Sequence, residues 1–199
     1  MVERMSFAGI VLAGFTILMI TKIYLESDWH NLTCIVSTVD GNKYCVREKA
    51  NMDRVADLLA HTTNDLKRLV EFANEKYPNR ENVKRLVKGF NPKRINEILP
   101  TSEYTAYTEN KGEKLAFCVT TTKKSNNLVK PETLLFVGIH ELSHVMSESI
   151  GHTEEFWTNF KFLLELAKEA NIHQPVNYKK DPVKYCGMMI TDNPYYDVE

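Results

Sequence analysis

Residues 138–157 read "GIHELSHVMSESIGHTEEFW" and place His140, Glu141, His144 and His152 close together in a chain that has only 6 histidines. On a helix, His140 and His144 lie one turn apart on one face, with Cβ atoms about 5–6 Å apart. That separation lets two neutral imidazoles reach one zinc ion at roughly 2.0–2.1 Å. Glu141 stands one position round the helix, where it flanks the ion without filling a coordination position. It is the candidate catalytic group, a general base for an attacking water. Gly151 marks a break that turns the chain back, so that His152 approaches as a third ligand from outside the first helix. Three protein ligands leave a fourth position open, which separates a hydrolytic zinc site from a closed structural one. Glu165 on the following helix, and Glu148, Glu154 and Glu155 nearer in sequence, stay open as alternatives. Imidazole is the commoner companion of such a pair, and the bend at Gly151 favours His152.

Several elements must hold these groups in place. Pro131 suits the first turn of a helix that carries Leu134, Leu135 and Val137 into the histidine cluster. A further helix has Phe156, Phe160, Leu163, Leu164 and Ala167 on one side. Upstream, residues 50–77 repeat apolar positions at Val55, Leu58, Leu59, Leu66, Leu69, Val70 and Ala73, with Pro78 as the stop. A shorter helix is expected over 80–89, then a turn at Asn91-Pro92 and another helix through Leu99. Residues 103–109 and 113–121 read as strands around the turn signal "NKG", with Leu115, Phe117 and Val119 on one face. From Asn171 onward the chain reads as loop, apart from the short apolar run "CGMMI". Cys34 and Cys45 flank two short strand-like runs. A four-residue loop over 38–41 sets them opposite each other, which slightly favours a disulfide there, with Cys118 and Cys186 as a candidate second pair, over four reduced thiols.

The N-terminus reads differently. Residues 5–21 carry no charge, and as a helix they extend roughly 25 Å, lengthened by the snorkelling Lys22. This predicts a transmembrane anchor within residues 1–26, followed by one domain over 27–199. No small-x-small cleavage site follows the run, which argues against a signal peptide. Arg4 precedes the span while Glu26 and Asp28 follow it, so positive-inside logic puts the domain on the exoplasmic side of a single-pass membrane protein. The Asn31-Leu32-Thr33 sequon lies close to that span. Hydrophobic content of 43%, charged content of 26% and a net charge of −1 are ordinary for a folded protein and give no general attraction to nucleic acid. Lys84, Arg85, Lys88, Lys93 and Arg94 are expected on a solvated helix face.

The series "HELSH", "GH" and "EEFW" resembles the WLM and SprT-like group of zinc metallopeptidases. "YTENKGEKLAFCV" is similar to the strand pair these proteins place before the active helix. "PVKYCGMMITDNPYY" resembles membrane-anchored members predicted in large DNA viruses. The resemblance covers roughly residues 100–196. It implies an α+β, zincin-like domain with a small antiparallel sheet and an HExxH active helix. By it, His140, His144 and His152 bind Zn2+, Glu141 is the base, and the activity is endopeptidase cleavage of a protein or peptide substrate at a virion or host-cell membrane. The resemblance also offers residues 115–119 as the edge that pairs with substrate, against an equally weighted reading as an ordinary structural strand. It offers Met188 or Met189 as a floor beneath the zinc, for which a simple core contact is the stronger reading; Tyr185, Tyr195 and Tyr196 are candidates for the oxyanion partner. The chain departs from the group's compact members in one respect. Seven residues separate His144 from His152, a longer gap, so the connecting turn must differ. Two other functions compete: a non-catalytic, zinc-stabilised membrane or virion component, and proteolysis of DNA–protein crosslinks, which the missing basic stripe disfavours.

Overall fold

The computed structural model describes residues 7–26 and 32–197, and the chain divides into two units, Met1–Asn31 and Leu32–Glu199. The first contains helix α1, Phe7–Glu26, in which Thr16 and Thr21 donate to the carbonyls of Leu12 and Ile17 one turn back. Among the described residues, no helix is long and apolar enough to cross a membrane. The uncharged part of α1 ends at Thr21, before Lys22, and over residues 7–21 it covers about 22 Å, against roughly 30 Å of hydrocarbon. This overturns the expected transmembrane helix, and with it the single-pass membrane location and the exoplasmic assignment. Arg4, Met5, Asp28 and the sequon residue Asn31, which that expectation used, lie outside the described residues.

The second unit is α+β with small sheets. Strands β1 (Leu32–Val36) and β2 (Lys43–Arg47) form an antiparallel hairpin with Cys34 opposite Cys45, and the two are disulfide-bonded. Ser37 N–H donates to the Asn42 carbonyl at 2.9 Å and closes the four-residue loop. Helix α2 (Met52–Lys76) buries the expected stripe, and its last cap bond runs from Tyr77 N–H to Ala73 O before Pro78. Helix α3 covers Glu81–Gly89.

Strand β3 (Ile95–Glu97) replaces the helix expected through Leu99. Tertiary pairing decides this. Ile95–Glu97 lies parallel to β5 (Lys114–Phe117), and the buried Glu97 forms an ion pair with Arg47 and accepts from the Arg47 N–H at 2.8 Å. On the other side β5 pairs antiparallel with β4 (Ala106–Glu109). The sheet is therefore mixed, in the order β3-β5-β4, and not purely antiparallel as expected. Residues 115–119 are consequently not an edge; β3 and β4 are the two edges, and β4 is the one on the side of the helix Pro131–Met146. The C-terminal stretch expected as loop contains a hairpin of β6 (Val183–Tyr185) and β7 (Met188–Ile190). Its two-residue turn, Cys186-Gly187, has φ of +52° and +91°. The turn's N–H groups donate to Thr120 O and Thr121 O, and a disulfide joins Cys186 to Cys118 at the end of β5.

Helix α4 (Pro131–Met146) is buried along most of its length and packs against α2, α3, α5 and β4. Helix α5 (Glu154–Glu169) starts at Thr153, whose hydroxyl accepts from Phe156 N–H. The β4–β5 turn runs through Asn110, Lys111 and Gly112, all with positive φ. A Cβ on Gly112 would stand 2.5 Å from Gly89 O and 2.9 Å from Val145 Cγ1. Gly112→Ala therefore combines backbone strain with a clash and is expected to cost about 2–4 kcal/mol. Gly151, with φ +84° and nothing within 4 Å of a Cβ, should cost about 1–2 kcal/mol as Ala. Urea unfolding of the two variants checks the order, and equal losses would contradict it.

Candidate metal centre

His140 and His144 project from one face of α4, and His152 comes from the connector between α4 and α5. Their ligand-capable atoms lie within 4.8 Å of one another, and among the described residues this is the one such group that could hold a metal ion. The Nε2 atoms of His140 and His152 are 3.1 Å apart, and each pair of ring centroids is separated by 5.0 Å.

Phe156 is the common support. It stacks on His144 at 4.3 Å and meets the His140 and His152 rings edge-on at 4.8 and 4.7 Å. Phe160 adds an edge contact to His140 at 5.2 Å. The floor beneath the three rings is thus aromatic. Met188 and Met189, weighed as such a floor and more readily as core contacts, are half-exposed on the cleft wall.

The connector is pinned from two sides. Lys111 Nζ donates to Ser147 O at 2.9 Å and Ser149 O at 2.7 Å. Glu155 accepts from the N–H groups of Glu148 and Ser149 at 2.8 and 3.0 Å, and Arg85 donates to it at 3.1 Å. Those backbone donors, followed by the Ser149 hydroxyl and Arg85, hold the Glu155 carboxyl down at about 2. Of the alternative third ligands, Glu155 is therefore spent on the loop, Glu148 pairs with Arg85, and Glu154 and Glu165 are exposed outside the triad.

Burial, and then the neighbouring ring charges, push His140 down to about 3. Burial, His152 and Lys111 push His144 down to about 4. Both rings keep a free lone pair at neutral pH, as a ligand must. Glu141 is buried, and burial pushes its carboxyl up to about 7 against the opposing hydrogen bond from Thr108. Thr108 Oγ1 on β4 donates to Glu141 Oε2 at 2.7 Å. Sequence reasoning missed Thr108 and Phe156 as parts of the site. Neither belongs to a metal-ligand pattern, and Thr108 meets Glu141 only because β4 packs on α4.

The triad and Glu141 open on a cleft of about 1150 Å³ that runs along β4. Cys118 N–H donates to Thr105 O, and pairing in an antiparallel ladder alternates from there. The backbone groups of Tyr107 therefore face β5, while those of Ala106 and Thr108 point away from it. Tyr185 lines the cleft, and its hydroxyl donates to Thr105 O at 3.1 Å. Burial and then the Glu141 carboxylate hold its phenol well above the usual value. Tyr195 and Tyr196 do not line the cleft; their hydroxyls engage Lys168 and Pro175 O.

No family model matches the chain. A protein of Acanthamoeba polyphaga mimivirus described as uncharacterized is 26% identical over 163 residues, 80% of this chain and 82% of that protein. One of Invertebrate iridescent virus 3, also described as uncharacterized, is 34% identical over 95 residues, 47% of this chain and 57% of that protein. The chain is similar to viral proteins. Among solved structures, the crystal structure of Wss1 from Saccharomyces cerevisiae matches 63% of this chain and 89% of that chain, with a TM-score of 0.44 and 14% identity.

The buried carboxyl gives a pH-dependent prediction for the metal-free protein. Glu141, raised from 4.5 to about 7, favours folding below pH 4.5, and that contribution is lost as pH rises through about 7. His140 and His144, lowered from 6.5, act in the opposite sense, since their contribution is present above pH 6.5 and is lost on acidification. Comparing Glu141→Gln with the parent cancels the histidines. The variant should gain about 2–3 kcal/mol of relative stability between pH 5 and pH 8, read from urea unfolding at each pH. A pH-independent difference would contradict the shifted carboxyl.

Proposed function

We propose that this chain is a zinc-dependent endopeptidase of the WLM and SprT-like kind, with His140, His144 and His152 holding the ion and Glu141 acting as base. The observation that carries the reading is three imidazole rings whose ligand-capable nitrogens lie within 4.8 Å of one another, beside a buried carboxyl on the wall of an open cleft. The donor set fits zinc, which takes three nitrogen ligands and keeps a position open in hydrolytic sites. All four cysteines are in disulfides, so no thiolate is at hand to close such a site.

When bound, zinc supplies Lewis acidity that polarises a peptide carbonyl and makes water a better nucleophile at neutral pH. Glu141 takes the proton from the attacking water and returns it to the leaving amine. A carboxyl that titrates near 7 is matched to both transfers. Thr108 fixes one Glu141 oxygen, leaving the other to face the water. The outward N–H and C=O groups of Ala106 and Thr108 offer an extended peptide backbone partners along β4, so the scissile bond lies across Glu141. Lys111 is the one lysine or arginine among the described residues that line the cleft, and it is engaged with backbone carbonyls. Of the basic stretch, Lys84, Arg85 and Arg94 pair with glutamates. Both points favour a protein or peptide substrate over one attached to DNA.

The test uses the zinc-loaded full chain and a denatured protein substrate. Glu141→Gln should retain about one zinc per chain and lose about 10²–10⁴-fold in cleavage rate. His152→Ala should weaken zinc binding, whereas Glu165→Gln should change neither property. Undiminished cleavage by Glu141→Gln would exclude the mechanism.

A further inference from the structure

The second unit exposes few large hydrophobic side chains, and they are unevenly placed. Tyr104, Ile150, Trp157, Met188 and Met189 are each 46–89% exposed, and all five line the cleft. Scattered apolar residues need no explanation, whereas a cluster at the mouth of one cleft marks a binding surface. The cluster has two parts. Ile150 belongs to the connector that Lys111 and Glu155 pin, and Trp157 sits beside His152 at 5.7 Å between ring centroids. Met188 and Met189 belong to the β6–β7 hairpin, which is anchored near the start of β4 by the Tyr185 hydroxyl on Thr105 O and by the Cys118–Cys186 bond. One apolar group thus stands beyond the triad towards the connector, and the other at the opposite end of the β4 edge.

Charge offers no competing basis for selection. Glu109 pairs with Lys114, and Asp192 and Asp197 both pair with Lys179. Each of these outer carboxylates thus contacts a lysine, Asp192 and Asp197 sharing Lys179, while the cleft's apolar side chains have no cover.

We infer that the cleft selects extended peptide segments carrying large apolar side chains on both sides of the bond opposite Glu141, the kind of segment a folded protein keeps buried. The inference rests on the hydrolase reading only in calling that bond scissile. Backbone pairing along Ala106 and Thr108 sets the peptide's direction and alternation, so its side chains on one face reach Trp157 and Ile150 at one end and Met188 and Met189 at the other.

Two measurements on the full chain separate this inference from the hydrolase reading. The first maps bonds cut by the zinc-loaded chain in a library of denatured-protein peptides. The second measures anisotropy of labelled decapeptides, Leu/Phe-rich against Ser/Lys-rich, on the Glu141→Gln chain. Leu, Ile, Met and Phe should be enriched on both sides of the cut bonds, and the Leu/Phe-rich peptide should bind about tenfold tighter. Trp157→Ser and the double variant Met188→Ser/Met189→Ser should each reduce that preference about three- to tenfold with zinc content unchanged. Cleavage with no apolar enrichment, or equal binding of the two peptides, would overturn the inference and leave the hydrolase reading standing. Selective apolar binding with no cleavage by the parent would do the reverse. Neither binding nor cleavage would overturn both.

Discussion

Two imidazoles on one helical turn define a line, and the third ring turns that line into a site. Its position depends on the connector that leaves α4 after Met146 and reaches His152 with no regular helix or strand. Such a loop brings entropy against any single geometry, so hydrogen bonds from three other elements must oppose it. Lys111 from the β4–β5 turn draws in the carbonyls of Ser147 and Ser149, and Glu155 from α5 takes the amides between them. Arg85 from α3 ties Met146 O to Glu155, and Asn159 holds the Ser147 hydroxyl. The sheet positions Lys111 through a turn that only a glycine at 112 fits, because Gly89 and Val145 already occupy the space of a Cβ.

The same arrangement explains the electrostatics. Phe156 and Phe160 exclude water from beneath the rings, and that burial keeps His140 and His144 neutral. It also raises Glu141, whose one strong partner is a hydroxyl supplied by the sheet. A carboxylate set one residue from a candidate ligand needs a partner of its own to stay beside the site. Thr108 restrains it at the cleft wall. The candidate metal pocket and the carboxyl proposed as its base are thus set by one contact, α4 against β4, with α5 closing the far side.

The parts that were legible in the sequence are those with strong local periodicity. Helices α2, α4 and α5, the cysteine hairpin and the break at Gly151 all announce themselves through 3.6-residue stripes, proline and glycine. Elements of three residues do not. Strands β3, β6 and β7 are too short to show alternation and exist because a neighbouring strand, an Arg47–Glu97 ion pair or a disulfide holds them. The missing β3 led to a sheet in which β5 appeared to be an edge. The uncharged N-terminal run misled in another way, since its roughly 25 Å of helical rise approaches a bilayer's width only if Lys22 snorkels to extend it. At the site, His140, Glu141, His144 and His152 stand out by spacing alone. Thr108 and Phe156 are ordinary residues whose roles come from packing across the chain.

The central claim concerns the ligand set, and X-ray absorption at the zinc edge of the loaded chain tests it directly. The account predicts three imidazole nitrogens and one exchangeable oxygen near 2.0–2.1 Å, falling to two imidazoles in His152→Ala. A fourth protein donor, or a spectrum unchanged by loss of His152, would contradict it.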